Sequence, residues 1–150
     1  MEKIEVGYKK VAGLAVYHKY ILYTNAQGDQ FFARGGPAFG PDGYQSRNPG
    51  NTETEGPYRP LGDLVTEYGP YADSPLSPDW DDSVNDPGLT PHHRELIETA
   101  SDLSSKFQDI IDAMDDISAE NHLYEIGWQN SNSAVDTALS RVGGSRCWAY

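Results

Sequence analysis

The sequence predicts an α+β domain, with a small antiparallel sheet packed on a long amphipathic helix and a short C-terminal helix. Three observations predict it. Tyr17–Arg34 reads as two β-rich runs around the turn-forming stretch Asn25-Ala26-Gln27-Gly28-Asp29. Apolar residues at Leu96, Ala100, Leu103, Phe107, Ile110, Met114 and Ile117 recur at alternating spacings of four and three. Val135, Ala138, Leu139 and Val142 repeat that pattern near the C-terminus. A chain of 150 residues suits one domain with one core. It is read as residues 1–150, with 35–89 as a long Pro/Gly-rich irregular insertion.

The first zone is the hairpin, with Gln30–Arg34 as the returning strand. Along its first strand His18, Tyr20 and Leu22 share one face, and Tyr17, Lys19, Ile21 and Tyr23 share the other. A symmetric turn pairs Gln30 with Thr24, Arg34 with Tyr20 and Gly36 with His18. The second zone, Gly35 to Leu89, holds most of the prolines and glycines, and only Leu64–Tyr68 reads as a short strand. So long an irregular stretch tends to be functional or mobile.

The third zone is helical. Thr90-Pro91 is a start signal, an N-cap residue followed by proline at the first helical position. The stripe from Leu96 to Ile117 then predicts a helix of about seven turns, with Asp and Glu on its outer face. His122–Trp128 is an extended approach or a strand. The last helix carries its four apolar residues on one face and stops at Gly143-Gly144.

Charge and composition narrow the function classes. A net charge of −12 argues against nucleic acid, whose phosphates need clustered Lys and Arg, and disfavours an anionic membrane surface. No stretch approaches the ~20 apolar residues of a membrane span. Met1–Lys10 is charged and lacks an apolar run, so no secretory signal peptide is expected. The protein is then made in the cytoplasm, and action elsewhere would need a specialised export route. The single cysteine, Cys147, cannot form an internal disulfide.

Chemistry concentrates in Gln-Asn-Ser-Asn-Ser-Ala-Val-Asp, residues 129–136. One reading is structural: Ser133, with Asp136 three residues on, makes a capping-box-like helix start. The other is catalytic, because a hydroxyl at a helix N-terminus faces unpaired N–H groups that favour a developing anion. A serine nucleophile needs a base. His92 and His93 diverge by roughly 100° in the first turn of the predicted long helix. His122 follows that helix and would cap its C-terminal dipole. His18 sits inside an aromatic strand, where an imidazole either finds a backbone carbonyl or serves a site.

The rivals are weaker. Cys147 is the fourth residue from the end, with no helix after it to lower its pKa. Asp79, Asp81 and Ser83 begin like a calcium loop, but Val84 stands at the glycine position and no Glu closes it. Arg34–Gly43 lacks the lysine and the strand–loop–helix setting of a phosphate loop. Dispersed histidines with one cysteine do not make a zinc site. No metal or cofactor is expected.

The strand Tyr-His-Lys-Tyr-Ile-Leu-Tyr-Thr, the second strand ending Phe-Phe-Ala-Arg-Gly-Gly-Pro, and the late Tyr-Glu-Ile-Gly-Trp-Gln-Asn-Ser-Asn-Ser together resemble the permuted papain-like superfamily. That branch includes the PPPDE peptidases and relatives of lecithin:retinol acyltransferase. The resemblance covers about half the chain, at its two ends, and says little of residues 35–89. It implies a papain-like fold and acyl-transfer chemistry on an amide or ester bond. His18 falls at the family histidine, and Ser131 where the nucleophilic cysteine belongs. Asn130, Asn132 and Ser133 match the neighbours of that cysteine.

Serine in place of cysteine leaves three readings open: a native serine hydrolase, an inactivated cysteine enzyme, or a non-enzymatic homologue. Gln129 is a candidate oxyanion donor, as amides are in papain-like sites, and Gln30 orients His18 if the hairpin register is shifted. The chain also resembles small hydrolase domains of bacterial effector toxins, which travel by specialised secretion systems. The partners implied are a protein or peptide substrate, with a cognate inhibitor or a secretion-machinery protein beside it. The rival from another class is a non-catalytic protein-binding module, in which Asn130–Ser133 only cap a helix.

Overall fold

The computed structural model describes residues 1–10, 17–37, 64–71, 93–120, 122 and 131–143. The side chains of Lys9, Lys10, Tyr17, His18, Pro37, His93 and Ser131 lie outside that description. Five strands, β1 (Glu2–Lys10), β2 (Tyr17–Thr24), β3 (Gln30–Pro37), β4 (Leu64–Pro70) and β5 (His93–Ala100), are followed by α1 (Ser104–Ala119) and α2 (Ser131–Gly143). The strands form one sheet in the order β4-β3-β2-β1-β5, and every neighbouring pair is antiparallel. The α+β class is therefore found.

The hairpin forms where its sequence places it. The Asn25 side-chain oxygen accepts from the amides of Gln27 and Asp29, at 3.0 and 2.9 Å, and Gly28 takes a φ of 89° that a Cβ would disfavour. Thr24 pairs with Gln30, as the symmetric turn requires. Within residues 35–89 the sequence reading found only Leu64–Tyr68; the structure adds the end of β3 and extends that strand to Pro70 as the sheet edge. The calcium-like loop, His92, residues 123–130 and Cys147 lie outside the described residues.

The seven-turn helix is corrected. Its expected first third is β5, and α1 begins only at Ser104, giving 16 residues. The break is local: Asp102 Oδ1 accepts from the Ser104 amide at 2.9 Å and from its hydroxyl at 2.6 Å, which starts the helix at this point. Upstream, His93–Ala100 pairs with β1 instead of coiling, and Leu96, expected on the buried stripe, is 55 % exposed. His93 is thus a strand residue opposite Tyr8, not a residue of a helical turn.

Both helices cover one face of the sheet, α1 over β3 and β4, α2 over β2 and β3. Ile4, Val6, Ile21, Tyr23, Ala33 and Leu64 meet Phe107, Ile110, Met114, Ile117, Val135 and Ala138 in the core between them. The Tyr23 and Phe107 rings stack at 4.8 Å. On the opposite face Tyr20, Leu22 and Phe32 are also fully buried. The Tyr20 ring stacks on that of Tyr71 at 6.4 Å, its hydroxyl meets the Arg94 side chain, and burial above all raises its pKa.

Glu2 ties three segments together. Its carboxylate accepts from the Leu103 amide at 2.6 Å, the Tyr23 hydroxyl at 2.8 Å and the Ala26 amide at 3.3 Å. The Leu103 amide first, then Tyr23, holds the Glu2 carboxyl below its ordinary 4.5, and burial beside Glu2 pushes Tyr23 up to about 12. A carboxylate depressed in the folded state contributes stability that is full above its unfolded pKa and is lost as pH falls through the folded one. Ser104 depresses Asp102, and His122 with Arg141 depresses Glu120, so both act with the same sign. Urea midpoints taken from about pH 7 to about pH 3 should fall once pH drops below roughly 4.5. Glu2→Gln should start lower and fall less steeply over that window; curves that run parallel would contradict this role.

Candidate functional site

The site is built where β2 meets the head of α2. Asn132, in the first turn of α2, accepts the Lys19 backbone amide on Oδ1 at 2.8 Å. One turn on, both Asp136 oxygens lie 3.0 Å from Lys19 Nζ. Lys19 is only 9 % exposed, and its ammonium also lies 5.8 Å from the centre of the Tyr8 ring. A buried ammonium needs a partner, and here an i, i+4 pair on one helix supplies an amide oxygen to its backbone and a carboxylate to its side chain.

These bonds involve the residues that follow the two principal candidates in sequence. His18, in β2 and paired with Lys9 of β1, immediately precedes Lys19, and Ser131, the first residue of α2, immediately precedes Asn132. Position 131 stands one turn ahead of Val135, a core residue. Position 18 belongs by strand alternation to the row of Tyr20 and Leu22, while Lys19, Ile21 and Tyr23 form the row that meets the helices.

The other candidates separate. Gln30 is at the far end of the hairpin, its Nε2 3.4 Å from Thr24 Oγ1. Thr24 is six positions of strand, roughly 20 Å, from position 18. The unshifted register therefore removes Gln30 as the residue that orients His18. Asn132 is at the site, with its carbonyl oxygen committed to Lys19. Gln129 and Asn130 lie outside the described residues. The capping box is also corrected: Ser133 is inside the first turn of α2, not ahead of it, and Asp136 bonds Lys19. His122 Nε2 lies 2.7 Å from Glu120 Oε2, and Arg141 holds the other oxygen of that carboxylate, also at 2.7 Å.

Sequence reasoning missed Lys19 and misassigned Asp136. A signal was present: Lys19 stands in the same strand row as Ile21 and Tyr23, where an unpaired charge has no place. A cleft of about 210 Å³ opens on the opposite flank of α2, lined by Leu64, Ile117, Ser133, Ala134, Thr137 and Arg141 among others. Among the described residues no group of His, Cys, Asp or Glu is arranged to hold a metal ion. No helix among them is long and apolar enough to cross a membrane.

The fold and this junction define a class no finer than an α+β domain with a helix head docked on a sheet strand. No protein-family model matches the chain, and no curated protein or solved structure is significantly similar to it.

Proposed function

We propose that the protein is a papain-like hydrolase that performs acyl transfer on an amide or ester bond, with Ser131 as nucleophile and His18 as base. The observation that carries this reading is the Lys19 N–Asn132 Oδ1 bond, which joins the sequence neighbours of the two residues. In the reaction Ser131 Oγ bonds to the substrate carbonyl carbon while its proton passes to the His18 imidazole. N–H groups at the head of α2 stabilise the oxyanion, and Gln129 adds a donor. The bond to the leaving group breaks as that group takes the proton back from the imidazolium. Water, deprotonated by His18, then releases the acid and restores Ser131.

Peptide bonds are the proposed substrates, on the strength of the resemblance, and the cleft beside α2 offers room for a substrate chain. The same resemblance supports an effector toxin delivered by a secretion system. A fluorophosphonate probe tests the reaction class: the wild-type protein labels at Ser131, and labelling that survives Ser131→Ala removes the nucleophile.

The second reading is a non-catalytic binding module. It is favoured by the use of Asn132 and Asp136 on Lys19, which makes the segment a structural tie, and by the alternation that sets position 18 in the other row. It predicts no labelling.

A further inference from the structure

We infer that Lys19 is the positioning residue of this site, holding the head of α2 in register with β2; the inference rests on the hydrolase reading. Three contacts converge on this one residue. Its backbone amide is bonded to Asn132, its ammonium to both oxygens of Asp136, and the Tyr8 ring centre lies 5.8 Å from that ammonium. Tyr8 is itself fixed, its hydroxyl donating to Glu95 on β5 at 3.1 Å. The chain of contacts therefore runs from the edge strand β5 through β1 and β2 into the first two turns of α2.

A helix head is free to slide or rotate on an apolar face, because burial is not directional. Hydrogen bonds of fixed length are directional, and two of them one turn apart fix both the height and the rotation of α2. Residue 131 lies one position before the first of these anchors, and residue 18 one position before Lys19. Displacement of a nucleophile by about 1 Å costs on the order of a hundredfold in rate. Lys19 is not the base itself: its ammonium is committed to both oxygens of the Asp136 carboxylate.

The test uses Ser131→Cys, whose thiol reports the local geometry through its titration. Iodoacetamide alkylation is followed against pH, with a thermal melt of each variant. A thiol seated at the helix head beside an imidazole titrates at least one unit below the free value of about 8.5, roughly tenfold more thiolate at neutral pH. Adding Lys19→Met should return the titration to about 8.5, and Lys19→Arg should restore the low value.

Asp136→Asn separates position from charge, and Asp136, 44 % exposed, tolerates the change without loss of the fold. Loss of position slows alkylation about tenfold; an ammonium released from its carboxylate would instead speed it. An unchanged or faster profile in Asp136→Asn, with a low thiol pKa in the parent, overturns the positioning role and leaves the hydrolase reading standing. A parent thiol that titrates at about 8.5 overturns the hydrolase reading, and the inference with it.

Discussion

Gly7→Val is expected to destabilise the protein by about 3–5 kcal/mol, the largest effect of any single substitution on the described sheet. Gly7 pairs with Tyr20 on one side and Arg94 on the other, in a strand hydrogen-bonded along both edges. The Tyr20 ring lies directly over it: a Cβ at residue 7 would sit 2.1 Å from Cζ and 2.5 Å from each Cε. No rotation of the new side chain relieves that, since Cβ itself is the clashing atom. The ring cannot swing away cheaply either, because it is 2 % exposed, stacked on Tyr71 and held at its hydroxyl by Arg94. Moving it combines overpacking strain with a buried hydroxyl taken from Arg94.

For a domain of this size the melting temperature should fall by roughly 10 °C, and the urea midpoint should drop without change of slope. Tyr20→Ala, which removes the ring, should recover part of the loss when combined with Gly7→Ala, giving a positive coupling in the double-mutant cycle. A Gly7→Ala protein within about 0.5 kcal/mol of wild type would contradict the packing.

Ser131→Ala and His18→Ala are each expected to cut fluorophosphonate labelling by roughly a thousandfold or more, and the double variant should be no worse than either single one. Non-additivity is the informative part: a nucleophile and its base act as one unit, so removing the second member of a broken pair changes little. Ser131→Cys adds a further distinction. A thiolate forms readily beside an imidazole and a serine alkoxide does not. A gain of peptidase activity on thiol substitution would mark a cysteine-tuned site, and a loss would mark a native serine hydrolase. Independent, multiplicative losses from the two alanine variants would contradict a dyad.

Local signals in the sequence translated faithfully into structure. The Asn25–Asp29 turn, the Thr24–Gln30 register and the buried row Val135-Ala138-Leu139 all follow from residues within a few positions of each other. What was misread depended on distant partners. Leu96 and Ala100 fit a helical stripe as well as a strand, and only pairing with β1, about ninety residues earlier in the chain, decides between them. β1 itself was overlooked because its charges hide its alternation. Ile4 and Val6 face the helices, and Glu2, in the same row, is buried beside them because Leu103, Tyr23 and Ala26 all donate to it.

The site divides in the same way. The resemblance pairs His18 with Ser131, and the fold bonds the residues that follow them, Lys19 and Asn132. The tie that does so was not legible. Asp136 reads locally as a cap, and nothing within its own helix reveals that Lys19, 117 residues away, takes its carboxylate.

A crystal structure of the protein measures the central claim most directly, through the separation of the His18 imidazole and the Ser131 hydroxyl. The hydrolase account predicts a ring nitrogen within about 3.5 Å of Oγ, or bridged to it by one water. A separation beyond about 7 Å, with the imidazole on the Tyr20 face of the sheet, would contradict it and leave the binding module as the reading of this fold.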